Sequence, residues 1–165
     1  MRPRPASRAQ AGLTLIEVVV VILILAVLAA VVTTQYTDAV NTGRLNANKD
    51  LLISYIRLAQ ERAMKQAATW GAASNGAQFW VFSGANPAVS AAWINLPGSA
   101  STPVSLTANG FSTTSFTLLF YQYGRPYNAS LAAPLTANLT VTITSVPDPA
   151  RTLTLTVIPE TGFLQ

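Results

Sequence analysis

An uninterrupted apolar run near the N-terminus constrains this chain more than any other feature. Residues 13–32 are apolar except for Thr14 and Glu17, and a short leader with three arginines precedes them. Twenty helical residues span about 30 Å, the thickness of a membrane's hydrocarbon layer. Because no basic residue follows the run until Arg44, the positive-inside rule predicts a cytoplasmic N-terminus. We therefore expect residues 13–35 to cross a membrane once.

Three interpretations of this segment are open. It could be a secretory signal peptide cleaved near Ala29 or Ala30, where small residues cluster, although its apolar core is long for that role. It could be a plain signal anchor, in which Glu17 would be incidental. The third interpretation takes Gly12 and Glu17 together, as a cleavage site followed at fixed spacing by a carboxylate.

The third interpretation is favoured because the segment resembles the prepilin signature of the type IV pilin and pseudopilin superfamily. That signature is a glycine, a hydrophobic residue, Thr-Leu-Ile-Glu and then a hydrophobic helix. This chain has Leu13 after the glycine, where phenylalanine is commoner. The matching residues are Gly12-Leu13-Thr14-Leu15-Ile16-Glu17-Val18.

The resemblance implies how the segment is processed and what it binds. A prepilin peptidase would cut between Gly12 and Leu13 and methylate the new amine of Leu13, and Glu17 would pair with the N-terminal amine of a neighbouring subunit. The implied partners are the peptidase, other pilin or pseudopilin subunits, the inner-membrane assembly platform and membrane lipid. The implied location is the bacterial inner membrane, with the C-terminal domain in the periplasm and then in a filament.

The helix is expected to continue beyond the membrane as an amphipathic segment, residues 36–69. No proline interrupts it, and Asn41-Thr42-Gly43 is its weakest point, where we expect a bend or fraying because all three are poor helix formers. Glu61 and Lys65 form an i,i+4 pair. The predicted apolar face is Leu45, Leu52, Ile56, Ala59 and Ala63, and the predicted polar face is Asn46, Asp50, Ser54, Arg57, Glu61 and Lys65.

Residues 70–165 are expected to form a β-rich domain. Residues 78–82, 92–96 and 116–123 are β-like runs, the last apolar on both faces as in a central strand, and residues 97–115 read as a loop with at most one short strand. Residues 139–143 and 153–157 alternate apolar residues with threonine, which predicts an antiparallel hairpin. The predicted fold class is α+β: a long N-terminal helix, membrane-spanning in its first half, packed on an antiparallel sheet, with residues 1–12 as a removable leader.

Shorter motifs narrow the resemblance to the GspH/FimT group, which comprises minor pseudopilins of type II secretion and minor pilins of type IV pili. Within that group the chain is similar in style to the MshC type of mannose-sensitive haemagglutinin pili. The motifs are a turn after a strong strand, a Thr-Gly-aromatic triplet after the last strand, and a helical segment. They are Gly124-Arg125-Pro126, Thr161-Gly162-Phe163 and residues 57–63 (Arg-Leu-Ala-Gln-Glu-Arg-Ala).

Composition argues against catalysis and nucleic-acid binding. The chain has no cysteine and no histidine, and its six acidic residues form no pair spaced for acid–base work, so we expect neither a cofactor nor a metal. Without residues 1–12, seven basic and six acidic residues leave a net charge of +1, too little for a nucleic-acid surface. Some FimT-type pilins take up DNA through an arginine-bearing tail, and the tail here, residues 162–165, has none.

Two alternatives stay open at this stage. A serine–lysine dyad using Lys49 or Lys65 is compatible with the composition. Six aromatic residues are expected to pack in the core and across strands, and the alternative is a stacking platform. The rival function is a membrane-anchored periplasmic binding module or enzyme. The aromatic residues concerned are Phe79, Trp80, Trp93, Phe120, Tyr121 and Tyr123.

Replacing the glycine at the predicted cleavage site tests the prepilin interpretation. Gly12→Val is expected to leave an uncleaved precursor, because a β-branched side chain obstructs the extended peptide that the peptidase must grip. Intact-mass spectrometry of the membrane form reads out the result. A mature mass unchanged from that of the natural chain would refute the assignment of the cleavage site.

Overall fold

The computed structural model describes residues 14–129 and 133–165. Helix α1, Leu15–Gln66, begins near the start of the described residues. The chain divides into two compact units, Met1–Val40 and Asn41–Gln165, so α1 contributes to both. Within the described residues, no helix combines the length and the hydropathy that a membrane span requires.

The strands of the described part of the chain form two antiparallel sheets. The first has the order β3-β2-β1-β6-β7, with β4 paired to β2, and the second has the order β5-β8-β9. A short 3-10 helix, Ser90–Ala92, precedes β3. The strands are β1 Trp70–Ser74, β2 Gln78–Ser83, β3 Trp93–Ile94, β4 Val104–Ser105, β5 Phe111–Thr113, β6 Phe116–Phe120, β7 Pro126–Tyr127, β8 Leu139–Ser145 and β9 Thr152–Val157. This confirms the α+β class.

The core lies between one face of α1 and both sheets. All five residues of the predicted apolar face are buried, and they share one cluster with Phe79 of β2, Leu118 of β6 and Ile143 of β8. The six residues of the predicted polar face are exposed, and Lys65 Nζ lies 3.4 Å from Glu61 Oε2. The amphipathic pattern therefore placed this part of the helix correctly.

The strand β1 was not predicted, although it occupies the middle of the first sheet. It pairs with β2 on one side and β6 on the other, and all five of its residues are buried. Its sequence, Trp-Gly-Ala-Ala-Ser, has little apolar bulk and no clear alternation. The small residues are there because large ones come from the neighbours: a Cβ on Gly71 would lie 2.4 Å from Phe82 Cζ and 2.7 Å from Leu119 Cδ2.

Other boundaries also differ from those predicted. Residues 97–115 hold two short strands, β4 and β5, rather than at most one. The strand predicted over residues 116–123 ends at Phe120, because the chain turns where the backbone N–H of Gly124 donates to the carbonyl of Tyr121 (2.7 Å). Helix α1 is uninterrupted across residues 41–43, so fraying there is not found, while a bend stays a prediction.

The β8–β9 hairpin is confirmed, and the C-terminus closes its outer edge. Strand β9 pairs with β8 along its whole length, with Val141 opposite Leu155. On its other side the backbones of Thr156 and Gln165 exchange two hydrogen bonds (2.9 and 3.1 Å), and Leu164 is buried in the core cluster. An unpaired strand edge invites association with other chains, and here the chain's own tail covers one end of that edge.

We expect Gly71→Ala to lower the free energy of unfolding by about 1–3 kcal/mol, because the added methyl group overpacks the space against Phe82 and Leu119. Gly43→Ala is the matched control. Its Cβ would meet nothing within 4 Å, and alanine favours the helix, so stability should not fall. Chemical denaturation of both variants measures the difference. Equal stability of the two would show that β1 does not need its glycine.

Candidate functional site

The N-terminal start of α1 is organised by Thr14. The backbone N–H of Glu17 donates to the Thr14 carbonyl (3.1 Å) and to Thr14 Oγ1 (3.4 Å). A threonine that accepts from the third helical N–H is an N-cap, and a glutamate in the first turn favours the positive end of the helix dipole. The predicted cleavage residues Gly12 and Leu13 lie outside the described residues.

The first turns of α1 present an apolar surface on all sides. Every residue from Thr14 to Ala30 is exposed, including Leu15 at 84%. Surfaces of this kind mark contact with lipid or with other protein chains. The large side chains that form it are Leu15, Ile16, Val18, Val19, Val20, Val21, Ile22, Leu23, Ile24, Leu25, Val27 and Leu28.

Glu17 is the charged residue of this apolar surface. Its side chain is exposed, and no described residue forms an ion pair with it. A carboxylate placed in hydrocarbon without a partner costs several kcal/mol, at about 2.5–3.5 on insertion scales. If the apolar surface is covered, a cation beside Glu17 would offset this cost, and no described residue of the chain forms such a pair.

A second candidate site is the Gln60 junction, formed by Gln60, Gly124, Thr161 and Gly162. The amide nitrogen Nε2 of Gln60 donates to the carbonyls of Gly124 (2.8 Å) and Thr161 (2.9 Å). One side chain on α1 thus holds the turn after β6 and the segment after β9. The three motifs that carry the narrower resemblance meet at this single point.

The two glycines of the junction are required by conformation and by space. Gly124 and Gly162 have φ of +70° and +67°, a region that side chains other than glycine rarely adopt. A Cβ on Gly162 would lie 2.7 Å from Gln60 Nε2, and one on Gly124 would lie 2.9 Å from Met64 Sδ. The glycines therefore let both backbones approach the helix closely enough to accept hydrogen bonds from Gln60.

Exposed apolar side chains surround the junction. Tyr123 is 90% exposed and Phe163 54%, each next to a junction glycine in the chain. A shallow cavity of about 320 Å³ lies at the junction and is lined in part by Gln60, Met64 and Phe163. The junction is thus a rigid, glycine-built point with aromatic residues on its outside.

The two lysines considered for a serine–lysine dyad are not part of a catalytic arrangement in the described residues. Lys49 and Lys65 lie on the helix, and Lys65 is paired with Glu61. The described residues hold no cluster of three acidic, histidine or cysteine residues that could bind a metal.

Tyr55 is a buried titratable residue of the domain. Its burial raises the pKa of its phenol, so the phenol stays neutral. Its hydroxyl donates to the Pro97 carbonyl (2.9 Å).

The aromatic residues divide into three groups. Phe79 and Phe120 are buried in the core. Trp80 and Trp93 are half-buried on the opposite face of the first sheet, and both indole N–H groups donate to the Pro87 carbonyl (3.0 and 2.9 Å). Tyr121 and Tyr123 are exposed. Core packing is therefore wrong for the two tyrosines, because both lie beyond the end of β6.

Residues 7–33 match a family model described as the prokaryotic N-terminal methylation motif. The matched range includes the predicted cleavage residues and Glu17. An N-terminal methylation motif is therefore confirmed there, and the roles of the single residues stay predictions.

The remaining comparisons concern whole chains. No curated protein sequence matches the chain. The structure is similar to the crystal structure of the type IV minor pilin FimU of Pseudomonas aeruginosa strain PAO1. That similarity has a TM-score of 0.49 and 14% sequence identity, and it covers 75% of this chain and 88% of the other.

The Gln60 junction is tested by removing its donor. Gln60→Leu keeps the volume but leaves the carbonyls of Gly124 and Thr161 without their donor, so we expect a loss of about 1–3 kcal/mol in the free energy of unfolding. Arg57→Leu is the control, one turn away on the exposed face, where changes stay within about 0.5 kcal/mol. If denaturation midpoints of the two variants coincide, the junction does not hold the two segments.

Proposed function

We propose that this chain is a structural subunit, a minor pilin or pseudopilin of the GspH/FimT kind, in a type IV pilus or a type II secretion pseudopilus. The observation that carries the proposal is the N-terminal methylation motif over residues 7–33. Such a motif implies a prepilin peptidase as the processing enzyme and other pilin-like subunits as partners. The role is one of assembly rather than catalysis.

Processing is the first step of the proposed sequence. The peptidase cuts after Gly12 on the cytoplasmic side, and the Leu13 amine is methylated. Removal of residues 1–12 takes away three arginines, which are the groups that hold the N-terminus in the cytoplasm. The mature chain then begins one residue before Thr14, the residue that caps α1.

Extraction into a filament is the second step. The exposed apolar side chains of residues 15–28 are covered first by inner-membrane lipid and then by the same segments of neighbouring subunits. In both settings the surface stays away from water, so the exchange costs little hydrophobic free energy. The domain formed by Asn41–Gln165 remains in the periplasm, outside the helical bundle.

In the third step the subunits stack, and Glu17 sets the axial register between neighbouring subunits. Its carboxylate pairs with the methylated amine of a neighbouring subunit, in a low dielectric where an unpaired charge is costly. A neighbour shifted along the axis leaves both charges unpaired, so the pairing selects one axial position. This use explains why a single carboxylate is kept in an otherwise apolar surface.

We expect Glu17→Ala to be processed and inserted but to enter filaments about tenfold less, because the neighbour's amine is left buried without a counter-charge. The measurement is the amount of variant in sheared filaments relative to the membrane fraction, by quantitative immunoblot. Glu61→Ala is the matched control. It removes another helical glutamate, whose ion-pair partner among the described residues is the exposed Lys65, and it should be incorporated normally. Normal amounts of Glu17→Ala in sheared filaments would refute the role of Glu17.

A further inference from the structure

The turn between β8 and β9 contacts α1 at three residues of low helix propensity. Arg151 lies in this turn, and its terminal nitrogen donates to Thr42 Oγ1 (3.0 Å). Thr42 is the middle residue of Asn41-Thr42-Gly43, three residues of low helix propensity that nevertheless stay helical. Contacts from outside the helix must therefore offset the low helix propensity of these three residues.

The turn is built to hold the Arg151 guanidinium in place. Arg151 Nε donates to Asp148 Oδ2 (2.8 Å), and the backbone N–H of Arg151 donates to the Asp148 carbonyl (3.0 Å). The other carboxylate oxygen of Asp148 accepts from the N–H of Ala150 (3.3 Å). Ser145 closes the turn by donating its N–H to the Arg151 carbonyl (3.0 Å). The side chain that reaches Thr42 is thus fixed at its base and along its length.

Packing around this part of the helix is loose. Leu45 is buried, and Thr42 and Gly43, just before it, are exposed. Two cavities line the helix here: one of about 250 Å³ includes Thr42 and Arg151, and one of about 50 Å³ includes Asn41 and Pro147. The hydrogen bond from Arg151 thus reaches α1 where the helix is loosely packed against the domain.

We propose that Arg151, positioned by Asp148, is a clasp that keeps Asn41-Thr42-Gly43 helical, and that this segment opens locally when the clasp is released. The residues from Leu45 onward are held by the core, so opening is expected to stop before Leu45. The clasp is a conformational device of the β8–β9 hairpin and does not depend on the proposed function.

Hydrogen exchange of the full-length chain in detergent micelles tests the clasp. In Arg151→Met, which keeps the apolar stem but removes the guanidinium, amides of residues 41–47 are expected to exchange about tenfold faster. Amides of residues 52–60, held by the core, should be unchanged. Thr42→Val removes the acceptor from the other side and should give the same local pattern, with little further increase when the two changes are combined.

Two further variants separate a clasp from general stabilisation of the domain. Arg57→Met removes an exposed arginine from the same helix and should leave exchange at residues 41–47 unchanged. Adding Gly43→Ala to Arg151→Met restores helix propensity in open space and should return exchange to the natural level. The proposal is overturned if Arg151→Met leaves residues 41–47 unchanged, or if it speeds exchange equally throughout the domain.

Discussion

Burial of one helical face against two sheets is the interaction on which the rest of the domain depends. Leu52, Ile56, Ala59 and Ala63 are almost completely buried, and they share a core with residues of both sheets. The two alanines matter as much as the larger residues, because small side chains let strands and turns approach the helix axis. Both sheets thus pack on the same buried face of α1.

The close approach of the domain to α1 allows a polar contact at each end of this buried face. Toward its C-terminal end, Gln60 reaches two backbone carbonyls that only glycine-built turns can bring near enough. Toward its N-terminal end, where packing is looser, a single arginine from the β8–β9 turn reaches Thr42. The domain is therefore joined to its helix by an apolar core flanked by a polar contact on each side.

Much of this arrangement follows from local sequence, and the parts that do not have physical reasons. The helical face and the β8–β9 hairpin were predicted because period 3.6 and period 2 patterns report burial on one side. Strand β1 was missed because its residues are small, and Gly71 and Ala73 owe their burial to Phe82 and Leu119 on adjacent strands. The short strands β4 and β5 depend on pairing partners distant in sequence. The motifs containing Gly124 and Gly162 were found, but their meeting at Gln60 is a tertiary fact that spacing cannot reveal.

The functional features, like the fold, were predictable only in part from the sequence. The methylation motif is readable from the sequence because it joins a glycine, a glutamate and an apolar run at fixed spacing. The partner of Glu17 comes from the family resemblance and not from the residues of one chain, since the proposed pairing joins two subunits. The domain, in contrast, carries no charge pattern or catalytic cluster in its described residues that points to another activity.

Intact-mass spectrometry of the membrane form of the natural chain, produced together with a prepilin peptidase, shows directly whether the chain is processed as a prepilin. The expected mass is that of residues 13–165 plus one methyl group. A mass that retains residues 1–12, or that corresponds to cleavage near Ala29 or Ala30, would contradict it and favour an anchored periplasmic protein or a secreted one.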